Sequence, residues 1–204
     1  MLFDDTYKTI NTPSSGLYKE KGSKFIALAR PVDSEAAVKA EIDSIRKEFY
    51  DARHHCFAYV LGADKAAWRV NDDGEPSGTA GRPIHGQIQS FDLTNILVVV
   101  VRYFGGTKLG VSGLINAYKS ATQDALNQAQ IVEKTVNEIY RLRFNYPNLN
   151  DVMRIVKEEN IHIIDNQFDM ECFLTYRVRR SLADQVNSKF RKTYESEIIY
   201  LKTE

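Results

Sequence analysis

The residues of this chain with the clearest chemical potential form a glycine-rich loop after an apolar, mostly β-branched run, residues 96–101. Arg102 and Tyr103 end that run, and Gly105-Gly106-Thr107-Lys108-Leu109-Gly110 follows. Glycines allow a sharp turn, and the free N–H groups at the start of the next helix attract anions. The loop could therefore bind a phosphate. It fits neither the Walker pattern nor GxGxxG, and a plain turn with a solvated Lys108 explains it equally well.

An acidic turn precedes this region. Asp72, Asp73 and Glu75 place three carboxylates in a short segment, where they could bind Mg²⁺ or act as acid and base. The EF-hand spacing is absent, and Gly74 and Pro76 are ordinary turn formers. Capping of the following helix gives the turn a structural role, which the sequence favours. Mg²⁺ is the one cofactor that the sequence raises.

His54, His55 and Cys56 are the other candidates for metal binding or catalysis. Neighbouring side chains of a strand point to opposite faces, so only His54 and Cys56 could converge. Two ligands make an incomplete zinc site, and no third group can be named for a Cys-His catalytic pair. A core position for Cys56 is favoured, and no catalytic residue is assigned.

The elements that position these motifs belong to a β-rich α+β domain. Periodicity predicts strands over 22–30, 54–61, 66–70 and 94–103, a helix over 34–50 with Ser34 as its N-cap, a helix starting near 79–83 and a third helix after the glycine loop. The apolar run at 96–101 is typical of a strand that is covered on both faces.

The pattern restarts after residue 135 with the order βαββαβ, which is the ferredoxin-like signature. We therefore predict an α+β chain with domains at 1–132 and 133–204. The first and third strands of such a sheet are adjacent, so a set of basic and aromatic residues would share its open face: Arg141, Arg143, Phe173, Arg177 and Arg179. That face could stack and neutralise RNA, or it could be a solvated face partly paired by Glu171.

Composition limits the remaining possibilities. Acidic and basic residues balance at 27 each, so RNA binding would need a local patch. The two cysteines are far apart in sequence and predict neither a disulfide nor a metal pair, which favours a reducing, cytoplasmic setting. The apolar runs are too short to span a bilayer, and the N-terminal segment lacks the features of a signal peptide, so no membrane association is expected.

Several motifs in this order resemble the IMPACT/YigZ family, over most of the chain. They are Glu20-Lys21-Gly22-Ser23-Lys24-Phe25, His54-His55-Cys56, Asp72-Asp73-Gly74-Glu75-Pro76-Ser77-Gly78-Thr79-Ala80-Gly81-Arg82-Pro83, Arg102-Tyr103-Phe104-Gly105-Gly106 and Lys108-Leu109-Gly110. The resemblance implies an N-terminal domain like domain 2 of ribosomal protein S5 and a C-terminal domain like domain V of elongation factor G. The family pattern also has a glycine near Ser112 and an arginine near Asn116, so a family phosphate site would be weaker here.

The eukaryotic relatives that the chain resembles regulate translation by restraining a starvation-sensing kinase. A bacterial-type two-domain chain need not have that kinase as a partner, so direct contact with RNA or the ribosome is expected instead. Neither catalysis nor DNA specificity is expected. The residues expected to contact RNA or its phosphates are Lys24, Arg82, Arg102, Gly105, Gly106, Lys108 and Lys119, together with Arg141, Arg143, Phe173, Arg177 and Arg179. Two alternatives stay open: an enzyme that uses the glycine loop and the acidic turn on a phosphate or nucleotide ligand, and a module that binds another protein.

Overall fold

A computed structural model describes residues 5–193 and 195–204 of the chain. The first four residues, part of the predicted N-terminal domain, and Tyr194 lie outside this description. The described residues form two compact units. One comprises residues 7–134, and the other comprises Asp5, Thr6 and residues 135–204. No helix in either range is long and apolar enough to cross a membrane.

The first unit contains seven strands and three helices, except that the end residues Thr6 of β1 and Thr135 of β7 belong to the second unit. In chain order they are β1 (Thr6–Ile10), β2 (Ser14–Glu20), β3 (Ser23–Pro31), α1 (Glu35–Glu48), β4 (His54–Leu61), β5 (Ala67–Asn71), α2 (Gly81–Ser90), β6 (Ile96–Tyr103), α3 (Gly110–Asn127) and β7 (Ile131–Thr135). The second unit contains β8 (Asn137–Asn145), a short 3₁₀ turn (Tyr146–Asn148), α4 (Leu149–Glu158), β9 (His162–Phe168), β10 (Glu171–Arg179), α5 (Arg180–Phe190) and β11 (Glu197–Thr203).

The main sheet of the first unit has five antiparallel strands in the order β2-β3-β6-β4-β5, while β1 and β7 form a separate pair. Strand β6 is central, and its side chains alternate between two apolar cores. Val98 and Val100 pack with residues of α2 and α3, whereas Val99 and Val101 pack with residues of α1. All four valines are fully buried, which confirms the prediction of a strand covered on both faces. This burial is the main stabilising contribution to the unit.

The predicted N-cap of α1 is also confirmed. The Oγ of Ser34 accepts a hydrogen bond from the backbone N–H of Ala37 at 3.3 Å. That bond satisfies one of the N–H groups that the first helical turn leaves without a partner.

Helix α3 packs very closely against strand β2. The N–H of Leu17 donates to Asp124 Oδ2 at 2.8 Å, and Ser14 Oγ donates to the carbonyl of Ala125 at 2.9 Å. A Cβ at Gly16 would lie 2.2 Å from the backbone nitrogen of Ala125, so only glycine fits there. Periodicity did not predict this strand, because its first half is small and polar rather than alternating.

The second unit is a four-stranded sheet in the order β11-β8-β10-β9. With two helices, α4 and α5, this is the ferredoxin-like arrangement that the βαββαβ order predicted. Its core lies between the sheet and the helices and includes Leu142, Leu174, Tyr176 and Phe190. The predicted α+β fold with two domains is confirmed.

Asp5 anchors the start of the described chain within the second unit. Arg179 donates to both of its carboxylate oxygens, at 2.6 and 2.8 Å, and the N–H of Ser181 adds a longer bond of 3.3 Å. The hydrogen bonds from Arg179, followed by the one from Ser181, hold the pKa of Asp5 well below its ordinary value of 3.8. The ionised form is therefore the form that the fold stabilises.

We expect Asp5→Asn to destabilise the protein at neutral pH and to have less effect in acid. A depressed folded-state pKa gives stability that is complete above 3.8 and is lost as the pH falls below that value. Urea unfolding of the wild type and the variant at about pH 7 and about pH 3 measures the change. An equal difference in unfolding free energy at both pH values would contradict this.

Candidate nucleic-acid interface

Asp72 of the acidic turn serves as the cap of helix α2. Its Oδ1 accepts hydrogen bonds from the N–H groups of Ala80, at 3.0 Å, and Gly81, at 2.8 Å. Its Oδ2 accepts a further bond from the N–H of Gly78 at 2.8 Å. A carboxylate at a helix N-terminus is favoured by hydrogen bonding and by the helix dipole. This residue therefore holds the start of α2 in place.

Asp73 connects the same turn to two other elements. Its Oδ2 accepts from the backbone N–H of His55 at 2.7 Å, and its Oδ1 accepts from Arg46 of α1 at 3.1 Å. Within residues 5–193 and 195–204, no group of three His, Cys, Asp or Glu residues is placed to hold a metal ion. The magnesium site stays a prediction, and the contacts made by Asp72 and Asp73 are those of a structural turn.

Glu75 takes part in a buried polar chain that also contains Arg102, Tyr118 and Cys56. Glu75 Oε1 accepts from Arg102 Nη1 at 2.5 Å and from the Tyr118 hydroxyl at 2.9 Å. The Cys56 thiol lies 3.3 Å from that hydroxyl and 3.0 Å from the carbonyl oxygen of Asp72. The side chains of Arg102 and Glu75 are only 7% and 4% exposed. The buried polar chain therefore links the acidic turn to β4, β6 and α3.

The environment of Cys56 keeps its thiol protonated. Burial, as the largest cause, raises its pKa to about 12. A catalytic or metal-binding cysteine needs its thiolate form. His54, on the same face of β4, has its Nδ1 2.8 Å from the carbonyl oxygen of Asp73, and His55 Nε2 lies 3.1 Å from that of Phe49. His54, His55 and Cys56 therefore each contact a backbone carbonyl oxygen and have a structural role.

The position of Arg102 differs from the one that the sequence suggested. A phosphate contact needs an accessible cation, but this guanidinium is ion-paired with Glu75 and lies over the ring of Phe25, 5.3 Å from its centroid. Its Nε is buried without a hydrogen-bond partner among the described residues. Phe104, whose ring centroid lies 5.5 Å from the same guanidinium, is half exposed. The Arg102 guanidinium therefore contacts the ring of Phe104 from the protein side, while solvent reaches the rest of that ring.

The glycine loop, residues 105–110, is fixed against the turn between β2 and β3. Gly105 N–H donates to Ser23 Oγ at 3.1 Å, and a Cβ at Gly105 would lie 1.9 Å from the carbonyl carbon of Gly22. Gly106 has a φ of +89°, which glycine adopts without strain. The two glycines thus fulfil different requirements, close approach and backbone conformation.

Four exposed lysines lie within three residues, in sequence, of the residues that form this contact. Lys19 and Lys24 are paired neighbours on β2 and β3, Lys21 lies in the turn between them, and Lys108 lies in the glycine loop. We call these four residues, with Phe104, the lysine face. Within the described ranges no carboxylate forms an ion pair with any of the four lysines. Glu20, the last residue of β2, accepts a hydrogen bond from the Tyr18 hydroxyl.

Helix α3 begins beside the glycine loop and has no side-chain cap among the described residues. Helix α2 offers a direct comparison, because Asp72 supplies a carboxylate to its first N–H groups. An anion bound beside Gly110 would complete α3 in the same way. Arg82, on α2, and Lys119, on α3, are exposed, and in the part of the chain that the structure describes no hydrogen bond or ion pair joins either residue to the loop.

The basic residues of the second unit are mostly neutralised. Arg143 pairs with Glu171 and Glu197, at 3.0 and 2.6 Å. Arg177 pairs with Glu204 at 2.5 Å, and Arg179 pairs with Asp5. The register of β8 and β10 places Arg143 beside Phe173 and Arg141 beside Thr175 on one face of the sheet. Of the predicted arginines there, Arg141 is the one without an ion pair in the described structure.

Phe104, Lys19 and Lys21 were not among the candidates that the sequence indicated. Two signals could have found them. Phe104 directly follows a buried strand and precedes two glycines. A large aromatic residue in that position lies beyond the core that the strand covers, so its ring is expected to be exposed. Lys21 directly precedes Gly22, where the predicted first strand begins, and residues in such connecting segments are usually exposed.

Known proteins that are similar to this chain belong to one family. The family description "Impact N-terminal domain" matches residues 21–126. IMPACT family member YigZ of Escherichia coli is 39% identical over 160 residues, covering 78% of each chain, and a member from Haemophilus influenzae is 30% identical over 181 residues, covering 88% of each. A crystal structure of a hypothetical protein superposes with a TM-score of 0.75 at 30% identity, covering 97% of this chain and 98% of the other. The chain therefore belongs to the IMPACT family.

Proposed function

We propose that this protein is a non-catalytic RNA- or ribosome-associated regulator linked to translation, and that the lysine face contacts RNA phosphates. The observation that carries the proposal is the set of four exposed lysines without carboxylate partners around a fixed glycine loop. Lysine side chains bind phosphates as point charges. The uncapped start of α3 adds backbone donors beside them, and Phe104 offers a ring on which a base can stack.

The local charge pattern favours the N-terminal unit for this role. The whole chain has no net charge, so attraction to RNA has to come from a region where cations exceed anions. Three of the four predicted arginines of the C-terminal unit are ion-paired with carboxylates, and the four lysines of the first unit are not. Phosphates would therefore meet a stronger positive field at the lysine face.

The structure favours binding over catalysis as the activity of this region. The carboxylates of Asp72, Asp73 and Glu75 accept hydrogen bonds that hold helices and strands in place. A general base has to exchange such bonds for contact with a substrate. The link to translation draws on family membership, which includes a protein named IMPACT homolog in Saccharomyces cerevisiae, 32% identical over 95 residues.

The test is a double variant, Lys24→Ala with Lys108→Ala. Each lost phosphate contact lowers the slope of log K against log salt by roughly 0.7 for single-stranded RNA, so we expect the slope to fall by roughly 1.4. Affinity for short single-stranded RNA at low salt should fall at least about tenfold. Fluorescence anisotropy over a salt series measures both quantities, and co-sedimentation with ribosomes extends the test to the assembled particle.

A matched control is Lys39→Ala with Lys47→Ala, which removes two exposed lysines from α1 in the same unit. This control should retain wild-type affinity. Equal losses in both double variants would show that general charge, and not the lysine face, attracts the RNA. Absence of binding by the wild type at low salt would overturn the proposal and favour a protein partner.

A further inference from the structure

A shallow concavity of about 190 Å³ lies on the second unit, on the sheet formed by β8, β10 and β9. It is lined by Arg141, Asp165, Asn166, Gln167, Phe173 and Thr175. Helices α4 and α5 pack with core residues such as Leu142 and Leu174, whose neighbours in sequence point the other way. The concavity is therefore on the open side of the sheet, next to its edge strand β9.

Two opposite charges face each other across this concavity without pairing. The register places Thr175 beside Arg141 on one side and beside Asp165 on the other. With strands about 4.8 Å apart, the Cα atoms of these two charged residues are roughly 10 Å apart. Arg141 makes only a long contact of 3.5 Å with Thr175 Oγ1, and neither charged residue has an ion-pair partner in the described residues. A ligand with complementary groups could bridge this gap.

The surface between the two charges can recognise a flat, polar ring. Phe173 is only partly buried, and its pairing with Gln167 places an amide next to it. Asn166, between Asp165 and Gln167 on the edge strand, completes the lining. An aromatic ring, an amide and charged groups on an open four-stranded sheet are the means by which proteins bind unstacked bases.

We propose that this concavity binds one unstacked guanine of a single-stranded RNA. The inference rests on the proposed function and adds to it a base preference at a second surface. The guanine stacks on Phe173, its two adjacent N–H donors bond to the Asp165 carboxylate, and Arg141 pairs with a backbone phosphate.

The carboxylate is the group that selects guanine. An ionised carboxylate only accepts hydrogen bonds and has two oxygens for two donors. The Watson–Crick edge of guanine presents N1–H and the N2 amine side by side, whereas adenine, cytosine and uracil each present an acceptor beside their donor. An acceptor facing Asp165 would leave one carboxylate oxygen opposed by a lone pair, which weakens binding.

The experiment compares three short single-stranded RNAs that differ only at one central base, which is guanine, inosine or adenine. Inosine lacks the N2 amine but keeps N1–H. We expect the full-length protein to bind in the order guanine, inosine, adenine, with about a tenfold difference between the first and the last. In Asp165→Asn the three affinities should become equal. Asp184→Asn removes an equal charge from α5, on the other side of the sheet, and should keep the preference.

Each result has a distinct meaning. Equal affinity of the wild type for the three RNAs, with salt-dependent binding through the lysine face intact, overturns this inference and leaves the proposed function standing. A guanine preference that persists in Asp165→Asn, with an unchanged melting temperature, also overturns it, because the base is then recognised elsewhere. Failure of the wild type to bind any RNA overturns both proposals.

Discussion

Replacement of Arg102 by methionine should lower the free energy of unfolding by about 3–5 kcal/mol. The substitution leaves the Glu75 carboxylate, only 4% exposed, without its cation. Burying a charge without a partner is costly, because the carboxylate loses its hydration and gains nothing in return. The Tyr118 hydroxyl, which still donates to Glu75, compensates only in part. Urea unfolding followed by circular dichroism measures the loss.

The double variant Glu75→Gln with Arg102→Met is the control. It removes both charges, so it should recover most of the loss caused by Arg102→Met alone. Glutamine keeps an oxygen that can accept from Tyr118. The single variant Glu75→Gln completes the comparison. If the losses of unfolding free energy in Arg102→Met and Glu75→Gln add up to the loss in the double variant, the ion pair is not the source of the effect. Binding assays on Arg102 variants also need this control, because a substitution at Arg102 lowers the stability of the fold whether or not Arg102 contacts a ligand.

Gly105→Ala should destabilise the N-terminal unit by about 3 kcal/mol and weaken RNA binding at the same time. The added Cβ would lie 1.9 Å from the carbonyl carbon of Gly22 and 2.2 Å from the nitrogen of Ser23, which are backbone atoms that no rotamer change can move. The glycine loop and the β2–β3 turn must then separate. That separation would spread the lysines of the lysine face apart. Thermal unfolding and RNA anisotropy on the same sample measure both effects.

Gly86→Ala is the matched control, because a Cβ there meets nothing within 4 Å. Gly86 lies inside helix α2, where alanine is favoured by roughly 0.5–1 kcal/mol. This variant should therefore be slightly more stable than the wild type and bind RNA equally well. Stability of Gly105→Ala equal to that of the wild type would show that the loop and the turn are not held in contact in solution.

Local patterns predicted most of the elements, for reasons that the structure makes clear. The apolar run of β6 and the capping residue Ser34 act through neighbouring residues, so their roles are visible in sequence. Strand β2 was missed because Gly16 is required by a helix more than a hundred residues away, and such a requirement leaves no periodic signal. Long-range packing is what overrode local preference there.

The candidate site was less predictable than the fold. Charged residues in a motif look equivalent in sequence, yet Arg102 is buried against Glu75 while Lys108 is exposed. The difference depends on alternation along β6, which turns Arg102 towards the core shared with Phe25. Phe104 lies beyond the end of that strand, so alternation could not assign it. Pairing between distant residues decides which charges remain available to a ligand.

The cover that α3 provides for β2 also affects how this protein behaves at high concentration. An outer strand presents free N–H and C=O groups, and such edges recruit strands from other molecules. Here Asp124 accepts the hydrogen bond of the Leu17 N–H, so this donor is not available to a foreign strand. Resistance of this edge to aggregation therefore depends on the last turns of α3 staying folded.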